Sequence, residues 1–298
     1  MWQPLLKSIQ TGDPRAIARA ISFIENEVEG TEALLQSLPF NDTVRITGIT
    51  GPPGAGKSTL VDSLIRCFVD DGKRVAILCV DPSSPFNSGA LLGDRIRMNQ
   101  WTNNKSVYIR SLAAKGSLGG LHPSILEITD LLKAANFDHI IVETVGVGQS
   151  EVEIAGLSDS TVVVLVPEAG DEIQNMKSGL MEVADIFVVN KSDRPGSETF
   201  INTLNSYIQP PFREGFEHIS VIRTVATSNE GVDELYQNLV NAIPNNSNQQ
   251  QKMKLLAARA YHLIQKKRMK DIGKKDLFKA ITNAWKPDFN LYQFIADY

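Results

Sequence analysis

The sequence predicts an α/β fold with a mostly parallel central sheet, preceded by a helical extension and followed by a helical arm. Three observations carry that reading. Between residues 43 and 243, short β-branched runs alternate with longer runs of helical periodicity, as strands and their crossover helices do. An early join, Gly51-Pro52-Pro53-Gly54-Ala55-Gly56-Lys57-Ser58, is rich in glycine and separates a strand-like run from a helix-like one. Further polar motifs end later β-branched runs, the rim where open α/β sheets hold their ligands.

Residues 1–42 read as helices. Leu5, Leu6 and Ile9 share a face, Asp13-Pro14 is a start signal, and Ile17, Ile21 and Ile24 continue the apolar stripe. Within the central region, 43–243, strands are expected at Val44 to Thr50, Arg74 to Val80, Ser106 to Arg110, His139 to Glu143, Thr161 to Val166, Ile186 to Asn190 and His218 to Val225. The polar stretch after Ile243, Pro244 to Gln251, reads as a linker. Residues 244–298 therefore form a linker and a helical arm, with Met253, Leu256, Ala260, Leu263 and Ile264 at helical spacing.

Composition narrows the class. A chain of 298 residues with 42% hydrophobic content can bury one large core, and is neither fibrous nor disordered. The start lacks a signal-peptide pattern, and the apolar run Val162 to Val166 is too short to cross a bilayer, so a cytoplasmic location away from membranes is expected. Cys67 and Cys79 lack CxxC spacing and read as reduced core thiols, while the four histidines lack metal-ligand spacing. From Gln251 onward eleven Lys or Arg face four Asp, so this end carries +7 and the remainder −11 of a net −4. Without interleaved aromatics that basic end reads as a solvated helix face, and no nucleic-acid partner is expected.

The glycine-rich segment is a phosphate-binding loop, so the fold expected is that of a P-loop NTPase. Its glycines let backbone N–H groups close around phosphate at a helix N-terminus, where partial positive charge favours an anion. Gly54, Ala55, Gly56, Lys57, Ser58 and Thr59 are the candidate cradle, with Lys57 for the β and γ phosphates and Ser58 for magnesium. Asn190-Lys191-Ser192-Asp193 ends a β-branched run at the same rim, and a carboxylate there can accept from guanine's N1–H and 2-amino groups, a pair adenine lacks. GTP and GDP are therefore the expected nucleotides. Glu143 leaves a buried strand ahead of Thr144-Val145-Gly146-Val147-Gly148, placing it to hold magnesium or its water while the Gly146 N–H approaches the γ-phosphate. Asp81 and Asp94 add two acids, since phosphoryl transfer depends on positioning and charge neutralisation.

In order, GPPGAGKST, DPSSP, LGDRIRM, ETVGVGQSE, GDEIQ and NKSD resemble the MeaB/ArgK family, over roughly residues 1 to 245. The resemblance implies a G-protein chaperone that hydrolyses GTP slowly and attends an adenosylcobalamin-dependent mutase, methylmalonyl-CoA mutase or a relative, controlling cofactor loading or protecting the enzyme. It also implies magnesium held around Ser58, Asp81, Asp94 and Glu143, a catalytic set of Lys57, Asp94, Glu143 and Gly146, and guanine read by Asn190, Lys191 and Asp193 with the Ala226 N–H. Asp171, Gln174 and Lys177 would signal nucleotide state to the mutase, and the arm would support a homodimer. Glu168 and Asn175 stand where the family commonly has glycine, and Asn87-Ser88-Gly89 where it has a double glycine. Two other functions fit the same pocket: a transport-system-type kinase, which the guanine tetrad disfavours, and a nucleotide-gated binding module with little turnover. A nickel-insertion GTPase would need a His-rich tract or paired cysteines that the sequence lacks.

Overall fold

The computed structural model describes residues 2–39, 41–81, 98–114, 121–144, 150–168, 183–208 and 219–241. Between 253 and 297 it describes 253, 256–257, 260–261, 263–265, 267–269, 271–286 and 289–297. The chain forms two compact units, Met1–Pro244 and Asn245–Tyr298.

The first unit opens with helices α1 (Gln3–Gln10), α2 (Pro14–Glu25) and α3 (Thr31–Gln36). Asp13 starts α2: its carboxylate accepts the N–H groups of Arg15 and Ala16 at 3.3 and 3.2 Å, and Pro14 fills the first helical position. The expected stripe Ile17, Ile21 and Ile24 is buried. Next come β1 (Arg45–Thr50), α4 (Lys57–Asp70), β2 (Val75–Asp81), β3 (Val107–Ala113) and α5 (Ile125–Lys133). They are followed by β4 (His139–Glu143), α6 (Ser150–Leu157), β5 (Ser160–Leu165), β6 (Ile186–Asn190), α7 (Ser197–Ile208), β7 (Ser220–Thr224) and α8 (Val232–Asn241).

The seven strands form one sheet in the order β3-β2-β4-β1-β5-β6-β7, and every neighbouring pair is parallel. Alternate residues of each strand serve opposite layers. Ala76, Leu78, Ile140 and Val142 join α2 and α5 in one core, whereas Val75, Ile77, Cys79 and Ile141 join α4 and α8 in another. A parallel sheet covered on both faces explains why its strands read as continuous β-branched runs. β3 continues past the expected Arg110 to Ala113, because its register with β2 carries pairing on to Asp81 and Ala113. β1 lies between β4 and β5; the chain leaves it toward β2 and later crosses to β5, which opens the ligand crevice at its C-terminal end.

No helix among the described residues is long and apolar enough to cross a membrane. Both cysteines are buried, and burial, followed by Asp233, pushes the Cys67 thiol up to about 11. In the second unit α9 (Lys274–Ala284) and α10 (Leu291–Phe294) are described, and Asn290 caps α10 by accepting from the N–H groups of Tyr292 and Gln293. Met253, Leu256, Leu263 and Ile264 of the expected apolar stripe are exposed.

Candidate functional site

The loop between β1 and α4 depends on backbone that only glycine adopts readily. Gly51 has φ +135°, and a Cβ there would run into the carbonyl oxygen of Val164 on β5. Gly56 has φ +89°, and a Cβ would meet the side-chain amide of Asn190 on β6. The loop is thereby packed onto two neighbouring strands before any ligand arrives. α4 begins at Lys57, so its N-terminus faces the loop and favours an anion.

Lys57 is 7% exposed and lies back over its own loop, donating from Nζ to the carbonyls of Gly51 at 2.8 Å and Pro52 at 3.1 Å. Ser58 donates from Oγ to Glu143 Oε1 at 2.6 Å, and both residues are buried. That contact joins the first turn of α4 to the end of β4. Beside it the Thr144 hydroxyl donates to that of Thr50 at 2.9 Å, and the Thr144 N–H reaches the Ile49 carbonyl at 3.0 Å, closing β4 onto β1. Thr59, half-buried, follows in the same turn.

At the opposite end of the site, Asn190 is 2% exposed and its side chain is held by the protein on both its amide and its oxygen. Its amide donates to the Ala55 carbonyl at 2.9 Å, and its Oδ1 accepts from Thr224 Oγ1 and the Ala226 N–H, both at 3.1 Å. The Ala226 N–H is thus donated to Asn190 instead of facing a base, and Asn190 ties loops together. Lys191, at φ +58°, donates from Nζ to the Gly54 carbonyl at 2.7 Å, and the exposed Asp193 stands two residues on. Arg194 pairs with Glu168, whose carboxyl is held below its usual range first by that arginine. Both side chains are about half exposed, so the pair contributes little to stability.

The site therefore gathers Gly54, Ala55, Gly56, Lys57, Ser58, Glu143, Asn190, Lys191 and Ala226 through direct contacts. Asp94, Gly146, Asp171, Gln174, Lys177, Asn175 and the side chain of Asp81 lie outside the described residues. Sequence reading missed the Thr50 and Thr144 pair, the Thr224 hydroxyl, and Asp62, whose carboxylate accepts from Trp101 Nε1 at 2.7 Å and Gln100 Nε2 at 2.9 Å. A threonine ending a β-branched run carries no signal of its own, since strands favour it anyway.

Among the described residues no group of three His, Cys, Asp or Glu side chains could hold a metal. A buried hydroxyl touching a buried carboxylate is nevertheless a hard-oxygen pair of the kind magnesium takes alongside nucleotide phosphates. The donors fit that ion, and their oxygens belong to Ser58 and Glu143.

Comparison with known proteins agrees with this geometry. A family model described as methylmalonyl-CoA mutase-associated GTPase MeaB matches residues 17–283. A Pyrococcus abyssi protein that carries a GTPase name is 44% identical over 243 residues, covering 80% of this chain and 75% of that one. A fused isobutyryl-CoA mutase of Geobacillus kaustophilus is 37% identical over 254 residues, 80% of this chain and 23% of that protein. The crystal structure of a LAO/AO transport system kinase superposes with a TM-score of 0.71 at 24% identity, covering 98% of this chain and 95% of that one.

Proposed function

The chain belongs to the MeaB family of methylmalonyl-CoA mutase-associated GTPases, and from that premise we propose that it is a magnesium-dependent G-protein chaperone of an adenosylcobalamin-dependent acyl-CoA mutase. As a GTPase it binds guanine nucleotide; the client and the ion are the proposed part. The observation that carries the client is the Geobacillus kaustophilus protein, in which a segment like this chain is part of a longer isobutyryl-CoA mutase.

In this reading Lys57 leaves the carbonyls of Gly51 and Pro52 for the β and γ phosphates, where its charge offsets charge building up between them. Ser58 and Glu143 hold magnesium, with Asp81 and Asp94 completing the acidic side and the Gly146 N–H meeting the γ-phosphate. Magnesium, when bound, neutralises phosphate charge and orders the attacking water. Asp193 reads guanine, Lys191 covers it with its stem, and Asn190 and Ala226 brace that loop against the phosphate loop. Asp171, Gln174 and Lys177 carry nucleotide state to the mutase.

The test is GTP hydrolysis by the full chain with magnesium, alone and with purified isobutyryl-CoA or methylmalonyl-CoA mutase. A client should speed phosphate release, and by linkage GTP and GDP should give different mutase affinities. A rate and affinity indifferent to either mutase would overturn the chaperone reading, and phosphate transferred to a protein acceptor would favour a kinase.

A further inference from the structure

α4 bears the phosphate ligands on its first turn, and its second turn carries a residue with no place in the scheme above. Ser63 is 5% exposed, and its Oγ lies 2.8 Å from the carbonyl of Ala226 and 3.1 Å from that of Thr59 one turn back. A hydroxyl has one proton, and the shorter contact is the one that leaves the helix. Ala226 in turn gives its N–H to Asn190 Oδ1 at 3.1 Å, and Asn190 gives its amide to the Ala55 carbonyl at 2.9 Å, just ahead of α4. The contacts close a ring: Ser63, Ala226, Asn190, Ala55 and back along the helix to Ser63.

We propose that Ser63 is a positioning residue that closes this ring and so sets the base-reading loop against the phosphate loop. The ring is buried at each link, Ala55, Ser63, Asn190 and Ala226 all being at most 5% exposed, so its hydrogen bonds face little competition from water. Cutting it at Ser63 leaves the phosphate ligands untouched. It frees the turn at residue 226 and, through Asn190, the loop ending in Asp193. Ser63 thereby acts on which base is accepted more than on whether a phosphate is held, an idea that rests on the guanine reading of that loop.

The experiment measures GTP and ITP dissociation constants by calorimetry for wild type, Ser63→Ala and Ser63→Thr, with thermal unfolding as a check on folding. ITP keeps the phosphates and lacks the 2-amino group. Losing one hydrogen bond should weaken GTP about fivefold. ITP should weaken less, so the preference for GTP narrows, and Ser63→Thr, which keeps the hydroxyl, should restore it. Adding Ser63→Ala to Asn190→Ala should change nothing further, because the ring is already open. Unchanged GTP affinity, equal weakening of GTP and ITP, or additive effects with Asn190→Ala would each overturn the proposal. The guanine reading is judged separately, by whether the wild type prefers GTP to ATP.

Discussion

The two ends of the nucleotide site are built on opposite plans. At the phosphate end Lys57, Ser58 and Glu143 are 7, 8 and 4% exposed, and each makes a hydrogen bond within the protein. At the base end Asn190 and Ala226 are buried, while Lys191 is half-buried and Asp193 exposed. Burial makes the phosphate end rigid and costly to alter, because an unmatched polar group there has no water to turn to. The base end takes its shape from one braced residue and leaves the reading groups near solvent. On the proposed assignment, chemistry common to nucleoside triphosphates lies in the rigid part, and selectivity lies in the part that is easier to deform.

Lys57→Ala should test that contrast most severely. It removes a buried ammonium that reaches the loop, and charge-assisted contacts of this kind are each worth about 1.5–3 kcal/mol. GTP and ATP binding should both fall by more than about 100-fold in titration calorimetry, with no change in their ratio. A changed ratio would mean that the two ends are not separable. Glu143→Gln should come next: it keeps the volume and one acceptor for Ser58, so GTP should still bind, but magnesium-dependent phosphate release should drop on the order of 100-fold. Unchanged turnover would remove Glu143 from the chemistry.

Asp193→Asn probes the exposed end and should act more mildly. Exchanging the carboxylate for an amide removes one acceptor, and at an exposed position the loss should be about 2 kcal/mol, some thirtyfold in GTP affinity. Xanthosine triphosphate, with oxygen in place of the 2-amino group, should gain relative to GTP. Equal losses for both nucleotides in the same titrations would show that Asp193 supports the loop without reading the base.

What the sequence made legible follows the same division. The seven strands were expected where they occur to within a few residues, since buried parallel strands are β-branched throughout and the joining helices keep their own period. Lys57, Ser58 and Asn190 stood out because the phosphate loop and the NKSD tetrad are local motifs with fixed spacing. Ser63 and Ala226 are 163 positions apart, and nothing in a serine on a helix announces a carbonyl in the turn after β7. Asn190 was expected to face the base, yet motif spacing says nothing about where its amide is directed, and the structure turns it to Ala55, Thr224 and Ala226. The arm shows another limit. Periodicity marks Met253, Leu256, Leu263 and Ile264 as residues at helical spacing, but it cannot supply the surface against which a stripe packs, and all four are exposed.

The smallest expected effect lies beneath both ends, in the sheet. His139, the first residue of β4, is 4% exposed; its Nε2 lies 2.8 Å from Thr47 Oγ1 of β1, and its ring centroid is 4.7 Å from that of Phe68 on α4. Burial first, then the nearby charges of Lys73 and Arg45, lowers its pKa to about 3. In the unfolded chain the ring takes up a proton near pH 6.5, while in the folded chain it stays neutral down to about pH 3. Between those values the unfolded state binds the extra proton, so stability falls as pH falls, by up to about 1.4 kcal/mol per pH unit from this group alone. His139→Gln keeps an amide near the Nε2 position and cannot titrate. Urea unfolding at pH 7, 6 and 5 should therefore show the wild type losing stability faster than His139→Gln, while GTP affinity at pH 7 stays the same in both. Parallel losses would place the acid sensitivity elsewhere, and a shift in GTP affinity would show that the phosphate end is less rigid than its burial implies.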